Sequence, residues 1–187
     1  VLRLVRRVPG ANEVQWDPAT GRLDPEALEG VDGVINLAGE NIATRWTAEA
    51  KQRILESRVR GTSLIAQTMA RLRRKPALLL SISAVGYYGD RGDEPVDETS
   101  PAGSGLLTDV VQAWEGACSP ALGAGIRVVH PPLGVVLSPS GGAPAQVLPL
   151  LKLRLRHNLA TGTPRSTLCS EAHVSESPPV ATRSPDL

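Results

Sequence analysis

The chain has 187 residues, of which 41% are hydrophobic and 21% charged, and its formal net charge is +1. This length suits one domain with a substantial core, and the near-zero charge gives no electrostatic case for a nucleic acid or an anionic membrane as a partner. The two cysteines, Cys118 and Cys169, lack metal-site spacing, and no apolar run is long enough to cross a bilayer. We therefore expect a cytoplasmic protein with neither a metal nor a membrane partner.

The first segment, VLRLVRR, alternates as a strand does and stops at Pro9-Gly10. Arg6 and Arg7 lie where this strand ends. In a dinucleotide-binding fold the adenosine ribose is bound at that position, where an acidic residue holds a free 2′-hydroxyl and arginine accommodates a 2′-phosphate. The pair thus favours NADP over NAD as a cofactor. The alternative is a strand end that is simply exposed to water.

Residues 31–42, VDGVINLAGENI, predict a second buried strand, because apolar residues form its centre. Ala38 and Gly39 follow that centre, and residues this small let a flat or phosphorylated ligand approach the backbone closely. Asn36 interrupts the apolar run and needs a hydrogen-bond partner if it is buried.

A long helix is predicted to begin at Thr47, which can cap it, and to continue until Pro76 ends it. Its apolar positions recur at helical spacing and predict a stripe that faces the core: Ile54, Gly61, Ile65 and Leu72. Arg58 falls on the same stripe. A guanidinium there must reach water along its stem, pair with a carboxylate, or bind an anionic ligand.

Residues 78–90, LLLSISAVGYYGD, join an apolar run to two serines and then to a turn of small residues. This pattern predicts a buried parallel strand that ends at a functional loop, because ligands bind beyond the carboxyl ends of such strands. Ser83 would then face a pocket, with Tyr87 and Tyr88 beside it. The alternative is an ordinary junction in which Ser81 and Ser83 only satisfy backbone groups.

Residues 106–122 follow an exposed loop and predict a helix whose buried face carries Leu107, Val110, Val111, Trp114 and Cys118. The thiol of Cys118 is then part of the core. A short strand, IRVVH, comes next. His130 at its end has no metal-ligand partner nearby in sequence, which favours a structural role.

The alternation of strands with helices predicts an α/β fold, with a Rossmann-like, doubly wound and largely parallel sheet covered on both faces. We place this domain at residues 1–162. The remaining residues, 163–187, are rich in Ser, Thr and Pro without a sustained period, and predict a disordered tail.

Seven segments resemble an atypical branch of the extended short-chain dehydrogenase/reductase superfamily, the NAD-dependent epimerase/dehydratase-like family of NADP-binding oxidoreductases. In chain order they are LVRRVPG, VINLAGENI, ESRVRGT, SISAVGYYGDRGDE, QAWEGA, IRVVHPPLGVVLSPSGGA and LPLLKLRL. LAGENI and SAVGYYGD are distinctive for that branch. The resemblance covers residues 1–155. It implies a Rossmann-like domain from which two parts are missing. One is the first βα unit, which carries the Gly-rich turn that binds the pyrophosphate, and the other is the C-terminal substrate domain.

The resemblance also implies a set of residues around NADP. Arg6 and Arg7 would contact the 2′-phosphate, and residues 37–39 would line the adenine and ribose. Arg58 would lie near the cofactor on its helix, and Val136 would lie near the nicotinamide. The cofactor residues expected from the resemblance are Arg6, Arg7, Leu37, Ala38, Gly39, Arg58 and Val136.

On the reaction side, the resemblance makes Ser83 the counterpart of the superfamily's active-site serine, which hydrogen-bonds a substrate carbonyl or hydroxyl. The superfamily's Tyr-x-x-x-Lys pair is absent, because the matching helix positions are Leu107 and Val111. Tyr87 or Tyr88 is then the phenol expected to donate a proton, by its proximity to the serine in sequence.

The function implied by the resemblance is an NADP-dependent oxidoreductase or epimerase-like protein that acts on an unknown carbonyl, alcohol or sugar-nucleotide substrate. One alternative is a sensor or scaffold module that holds NADP without catalysis. The other is an inactive, truncated fragment. The sequence specifies neither the substrate nor the oligomeric state.

Overall fold

The computed structural model describes residues 1–138, 141–142 and 168–170. Within these ranges, the central sheet contains three parallel strands in the order β4-β5-β7: β4 is Gly33–Asn36, β5 is Leu78–Ser81 and β7 is Arg127–Val129. Asn36 and Ser81 are register partners at the carboxyl ends of the two neighbouring strands. Their side chains therefore begin the same edge of the sheet, as expected for an α/β fold.

The amino-terminal part of the chain forms a separate small sheet. Strand β1 (Arg3–Val5) pairs in parallel with β2 (Glu13–Asp17), and β2 pairs with β3 (Arg22–Leu23) as an antiparallel hairpin. A short 3₁₀ helix, Pro25–Leu28, follows and is capped by the side chain of Asp24.

Helix α1 (Ala48–Arg71) connects β4 to β5. Thr47 caps it as predicted, by accepting a hydrogen bond from the backbone N–H of Ala50. The helix ends five residues before Pro76, earlier than predicted, with Leu72 as its C-cap. The cause is a competing acceptor: the carboxylate of Glu29 binds the backbone N–H groups of Arg73 and Arg74 and holds the chain away from the helix axis.

The helix predicted at 106–122 is divided in two. Helix α2 is Leu106–Gly116 and helix α3 is Ser119–Gly123. The physical reason is Pro120, which has no N–H to donate to the carbonyl of Gly116 and whose ring clashes with a continued helix. No helix within the described ranges combines the length and apolarity that a membrane span requires.

The main core lies between α1, α3 and one face of the central sheet. Its fully covered members include Ala66 and Met69 of α1, Leu79 of β5 and Ala121 of α3. The predicted stripe of α1 is buried, which confirms that part of the pattern: Ile54, Gly61, Ile65 and Leu72.

The opposite face of β4 is more open than the pattern predicted. Ile35 is 66% exposed, as is Leu37 just beyond the strand. Since α1 and α3 both pack on the face that carries Val34 and Leu79, these helices leave the side chain of Ile35 uncovered. The expectation of a sheet covered on both faces therefore fails at β4 among the described residues.

Five short strands complete the described chain: β6 (Ser83–Ala84) pairs in parallel with β8 (Pro132–Leu133), and β9 (Val135–Ser138) lies between β10 (Gly141–Gly142) and β11 (Leu168–Ser170). Strand β11 falls within the segment predicted to be disordered and pairs in parallel with β9. The rest of that tail, and the predicted boundary at 162, lie outside the described residues.

Candidate functional site

A buried hydrogen-bond network fixes the carboxyl edge of the central sheet. Asn36 donates through Nδ2 to Thr62 Oγ1 at 2.8 Å and to Ser81 Oγ at 3.3 Å, and its Oδ1 accepts from the backbone N–H of Ala38 at 3.2 Å. Trp114 of α2 donates through Nε1 to the same Thr62 oxygen at 2.9 Å. The partner that Asn36 was expected to need is therefore present, and the network ties β4, β5, α1 and α2 together.

Gly39 and Arg58 are in close contact at the loop that follows β4. A Cβ atom added at Gly39 would lie 3.0 Å from Cζ of Arg58, so the loop after β4 accepts the guanidinium only because it has no side chain there. The guanidinium donates through Nη1 to the carbonyl oxygens of Glu40 and Ile54, at 3.0 and 3.2 Å. It also lies over the ring of Trp114, 5.1 Å from the centroid.

Arg58 is thus a half-buried cation held by carbonyl oxygens and an aromatic ring. Burial lowers the pKa of Arg58 from its ordinary value, and the nearby charge of Glu40 acts in the opposite direction. The group stays charged, because arginine does not lose its proton in proteins. Within the described residues its hydrogen bonds to protein are made by Nη1. This geometry supports the third option given by the sequence, a cation available to an anionic ligand.

Ser83 and Glu115 form a second pair, joined by a hydrogen bond. Ser83 is 2% exposed, and its position is fixed by a backbone hydrogen bond to the carbonyl of Pro131 at 2.9 Å. Its Oγ donates to Oε1 of Glu115 on α2 at 2.5 Å. The serine predicted to face a pocket is therefore buried, and its hydroxyl proton is given to a carboxylate.

A cavity of about 340 Å³ lies beside this pair. Glu115 lines it, whereas Ser83 does not. Other lining residues are Tyr87, Gln112, Cys118, Leu122, Val128 and His130. The mixture of one carboxylate, several hydrogen-bonding groups and apolar walls suits a small hydroxylated or carbonyl compound.

The two tyrosines differ in their surroundings. Both belong to a 3₁₀ helix, Val85–Tyr88, and their rings meet edge to face with centroids 5.3 Å apart. Tyr88 is buried, while Tyr87 lines the cavity. Of the two tyrosines, Tyr87 therefore shares the cavity with Glu115, and its part in proton transfer stays a prediction.

Cys118 and His130 are two buried residues that line the same cavity. Burial raises the pKa of the Cys118 thiol from 9.0 to about 11, with a smaller contribution from the charge of Glu115 and an opposing hydrogen bond with Ser81. The thiol is then neutral near pH 7 and poorly nucleophilic, as a core cysteine should be. Nδ1 of His130 lies 3.2 Å from the carbonyl oxygen of Ser81. The residues that the structure describes contain no cluster of His, Cys, Asp or Glu able to hold a metal.

The arginine pair at the end of β1 is exposed. Arg7 makes a two-pronged ion pair with Glu13, Nη1 to Oε2 at 2.7 Å and Nη2 to Oε1 at 2.6 Å. A phosphate that binds Arg7 must compete with this carboxylate. Neither Arg6 nor Arg7 lines the cavity beside Glu115. Val136 is half-buried in β9, next to β11. The cofactor roles of these residues stay predictions.

Two site residues were not singled out by the sequence. Trp114 was assigned to the core, and Glu115 appeared only as part of the segment QAWEGA. Glu115 follows the buried Val111 by four residues, so it borders the apolar face of α2. A carboxylate at the border of a buried helix face is the sequence feature that indicates Glu115 as a site residue.

Comparison with known proteins finds similar sequences. The sequence model of the NAD dependent epimerase/dehydratase family matches residues 20–105. An epimerase family protein of Mycobacterium bovis is 43% identical over 164 residues, which are 87% of this chain and 54% of the relative. The chain therefore spans about half the length of that relative.

Two solved structures are similar in fold and sequence. A nucleoside-diphosphate sugar epimerase from Corynebacterium glutamicum superposes with a TM-score of 0.74 at 36% identity, over 90% of this chain and 35% of that one. A human epimerase family protein crystallised with NADPH has a TM-score of 0.65 at 30% identity, over 81% of this chain and 51% of that one. The parallel α/β, Rossmann-like fold predicted from the sequence is confirmed.

Proposed function

This chain belongs to the NAD dependent epimerase/dehydratase family over residues 20–105, and from that premise we propose that the protein is an NADP-dependent oxidoreductase or epimerase-like enzyme. Its substrate is a small carbonyl, alcohol or sugar-nucleotide compound. A bound nicotinamide supplies the hydride donor or acceptor in such chemistry. The residues of this chain bind the cofactor and transfer the proton that accompanies the hydride.

The observation that carries the proposal is the pairing of two neighbouring residues of α2. Trp114 lies under the guanidinium of Arg58, and the next residue, Glu115, holds the hydroxyl of Ser83. One turn of helix therefore joins a half-buried cation, suited to an anionic cofactor, to a hydrogen-bonded serine and carboxylate. Groups held on a rigid helix are positioned more precisely than groups on loops, and precise orientation favours hydride transfer.

NADP is proposed over NAD on two grounds. The human relative was crystallised with NADPH. Two exposed arginines, Arg6 and Arg7, directly follow strand β1. The guanidinium group of arginine binds a phosphate better than a free hydroxyl. Gly39 and Arg58 provide a further place where phosphorylated ligand and backbone can come close.

Replacing Arg58 by Met tests the cofactor side. We expect NADPH affinity, measured by the change in nucleotide fluorescence on titration, to fall about tenfold, because a charge-assisted hydrogen bond is worth roughly 1.5–3 kcal/mol. Arg60→Met is the matched control: Arg60 lies on the same helix, exposed and paired with Glu56, and its loss should leave affinity unchanged. Equal affinities in both variants and the parent chain would contradict the role of Arg58.

A module that binds NADP without catalysis is the second candidate. It is favoured by the apolar residues of α2 at the positions of the missing tyrosine and lysine: Leu107 packs against Gly86, and Val111 is buried. Neither can move a proton. Cofactor binding without turnover of any compound in a panel of carbonyls and sugar nucleotides would favour this candidate over the enzyme.

A further inference from the structure

The indole of Trp114 contacts two residues of α1 that lie one turn apart. Its Nε1 donates to Oγ1 of Thr62 at 2.9 Å, and its ring centroid lies 5.1 Å from Cζ of Arg58. Residues four positions apart lie on the same face of a helix, so one tryptophan of α2 reaches both. Phenylalanine would offer the ring without the donor, and leucine would offer neither.

The indole is itself held firmly. Trp114 is 4% exposed and Thr62 is 1% exposed. The Thr62 oxygen that accepts from the indole also accepts from Nδ2 of Asn36 at 2.8 Å. Because Asn36 ends β4 in the central sheet, this sheet as well as α1 fixes the orientation of the ring.

The orientation of the Arg58 guanidinium depends on contacts with its flat faces. Its hydrogen bonds to the carbonyls of Glu40 and Ile54 both come from Nη1, and an anchor at one nitrogen lets the plane turn about it. A Cβ atom at Gly39 would lie nearer to Cζ than to Nη2 or Nε, so the loop after β4 meets the flat of the group. Trp114 supplies an aromatic surface to the same guanidinium.

These contacts stabilise the charge of Arg58 without cancelling it. The nearby carboxylate of Glu40 forms an ion pair with Arg53, from Nε to Oε1 at 3.3 Å. Among aromatic side chains, an indole ring attracts a cation most strongly. This attraction leaves the guanidinium positive, so an anionic ligand can still bind to it.

We propose that Trp114 is a positioning residue that acts through Arg58: the indole N–H fixes the ring on Thr62, and the ring fixes the plane of the guanidinium for an anionic ligand. This inference rests on the proposed function and deepens it, since the ligand there is the phosphorylated cofactor. The tryptophan that the sequence pattern assigned to the core thus orients the cation on the cofactor side.

The NMR signal of the Arg58 Nε–H tests this orientation without any ligand. A proton near the face of an aromatic ring is shifted upfield by the ring current, so in the parent chain this signal should lie upfield of those of exposed arginines. Arg58→Lys identifies the signal by removing it. Trp114→Leu should return it to the ordinary arginine position, and Trp114→Phe should keep part of the shift. Val110→Ala, which removes buried apolar atoms from the same helix, should leave it in place.

NADPH affinity, measured by fluorescence titration, tests the consequence for binding. Trp114→Leu should weaken binding about fivefold, within the range of a cation–π contact. Trp114→Phe should weaken it about twofold, because a ring remains. In a chain that already carries Arg58→Met, Trp114→Leu should cause no further loss, since a positioning residue acts only through its partner. A merely structural effect would appear equally in both backgrounds.

The assignment is overturned if the Arg58 signal of the parent chain matches those of exposed arginines, or if Trp114→Leu leaves it unchanged. Equal weakening of NADPH binding by Trp114→Leu in both backgrounds would also overturn it. If circular dichroism shows that the leucine variant does not fold, Trp114→Phe takes its place in both measurements. A parent chain that shows the upfield signal and binds no NADPH would remove the oxidoreductase proposal and leave Trp114 as the residue that orients Arg58.

Discussion

At the scale of single residues, the ion pair between Arg7 and Glu13 limits the binding of an anionic ligand at the end of β1. Both guanidinium Nη atoms donate to the carboxylate, and the backbone N–H of Gly10 donates to it as well. The hydrogen bond from Arg7 and then that from Gly10 hold the pKa of Glu13 below its usual range, so this residue is ionised throughout the neutral range. The arginine proposed to bind a phosphate is already occupied by an anion.

Removing that competitor should sharpen the choice of cofactor. We expect Glu13→Gln to raise the affinity for NADPH by up to about fivefold, the range of an exposed ion pair, and to leave NADH affinity unchanged. Fluorescence titrations with both nucleotides measure the ratio. Glu56→Gln, which breaks the exposed pair with Arg60, is the control. If the two nucleotides gain equally, Arg7 does not read the 2′-phosphate.

At the scale of elements, the packing of α1 against the amino-terminal sheet depends on a glycine. A Cβ at Gly61 would lie 3.2 Å from Cη2 of Trp16, whose buried ring belongs to β2. The missing side chain lets the helix and the hairpin approach closely. By contrast, a Cβ at Gly116, the last residue of α2, meets nothing within 4 Å.

These two glycines make a matched pair for substitution by alanine. Alanine gains about 1 kcal/mol of helix propensity at either position, but overpacking costs roughly 1–3 kcal/mol. We expect Gly61→Ala to lower the free energy of unfolding by about 1 kcal/mol, because the buried indole cannot move away. Gly116→Ala should raise it by about 0.5 kcal/mol. Urea unfolding followed by tryptophan fluorescence gives both values; equal shifts would show that the Trp16 contact is loose.

At the scale of the whole molecule, the core places one thiol where it cannot ionise easily. Cys118 is 2% exposed and joins α3 to the central sheet through the main core. Burial raises the pKa of this thiol to about 11. In the unfolded chain the thiol ionises near its ordinary 9.0, so the unfolded state loses a proton first as the pH rises.

Ionisation of the Cys118 thiol should lower the stability of the folded chain at high pH. A raised pKa in the folded state gives a contribution that is complete below pH 9 and lost as the pH rises toward 11. The loss should be roughly 2 to 3 kcal/mol, since one pKa unit corresponds to about 1.4 kcal/mol. Urea unfolding of the parent chain and of Cys118→Ala over this range measures it. The variant should lose less stability than the parent; parallel curves would mean that the Cys118 thiol ionises as readily in the folded chain as in the unfolded one.

Patterns along the chain predicted several central elements of the fold. The apolar run before Ser81, the cap at Thr47 and the stripe of α1 all depend on local spacing, and each was found where it was predicted. Two helix boundaries differ from the prediction: the end of α1 and the break between α2 and α3. The first depends on Glu29, which lies more than forty residues away along the chain. The second follows from Pro120, which lies within the segment itself.

By itself, the sequence determined the parallel α/β fold and the presence of a serine, small residues and basic side chains at strand ends. These follow from periodicity and residue type, which are properties of neighbours in the chain. The tertiary structure alone decided that Arg58 lies against Gly39 and Trp114, and that Glu115 stands between Ser83 and the cavity. Such contacts join residues dozens of positions apart, and only the packing of α1 and α2 on one sheet edge brings them within hydrogen-bonding distance.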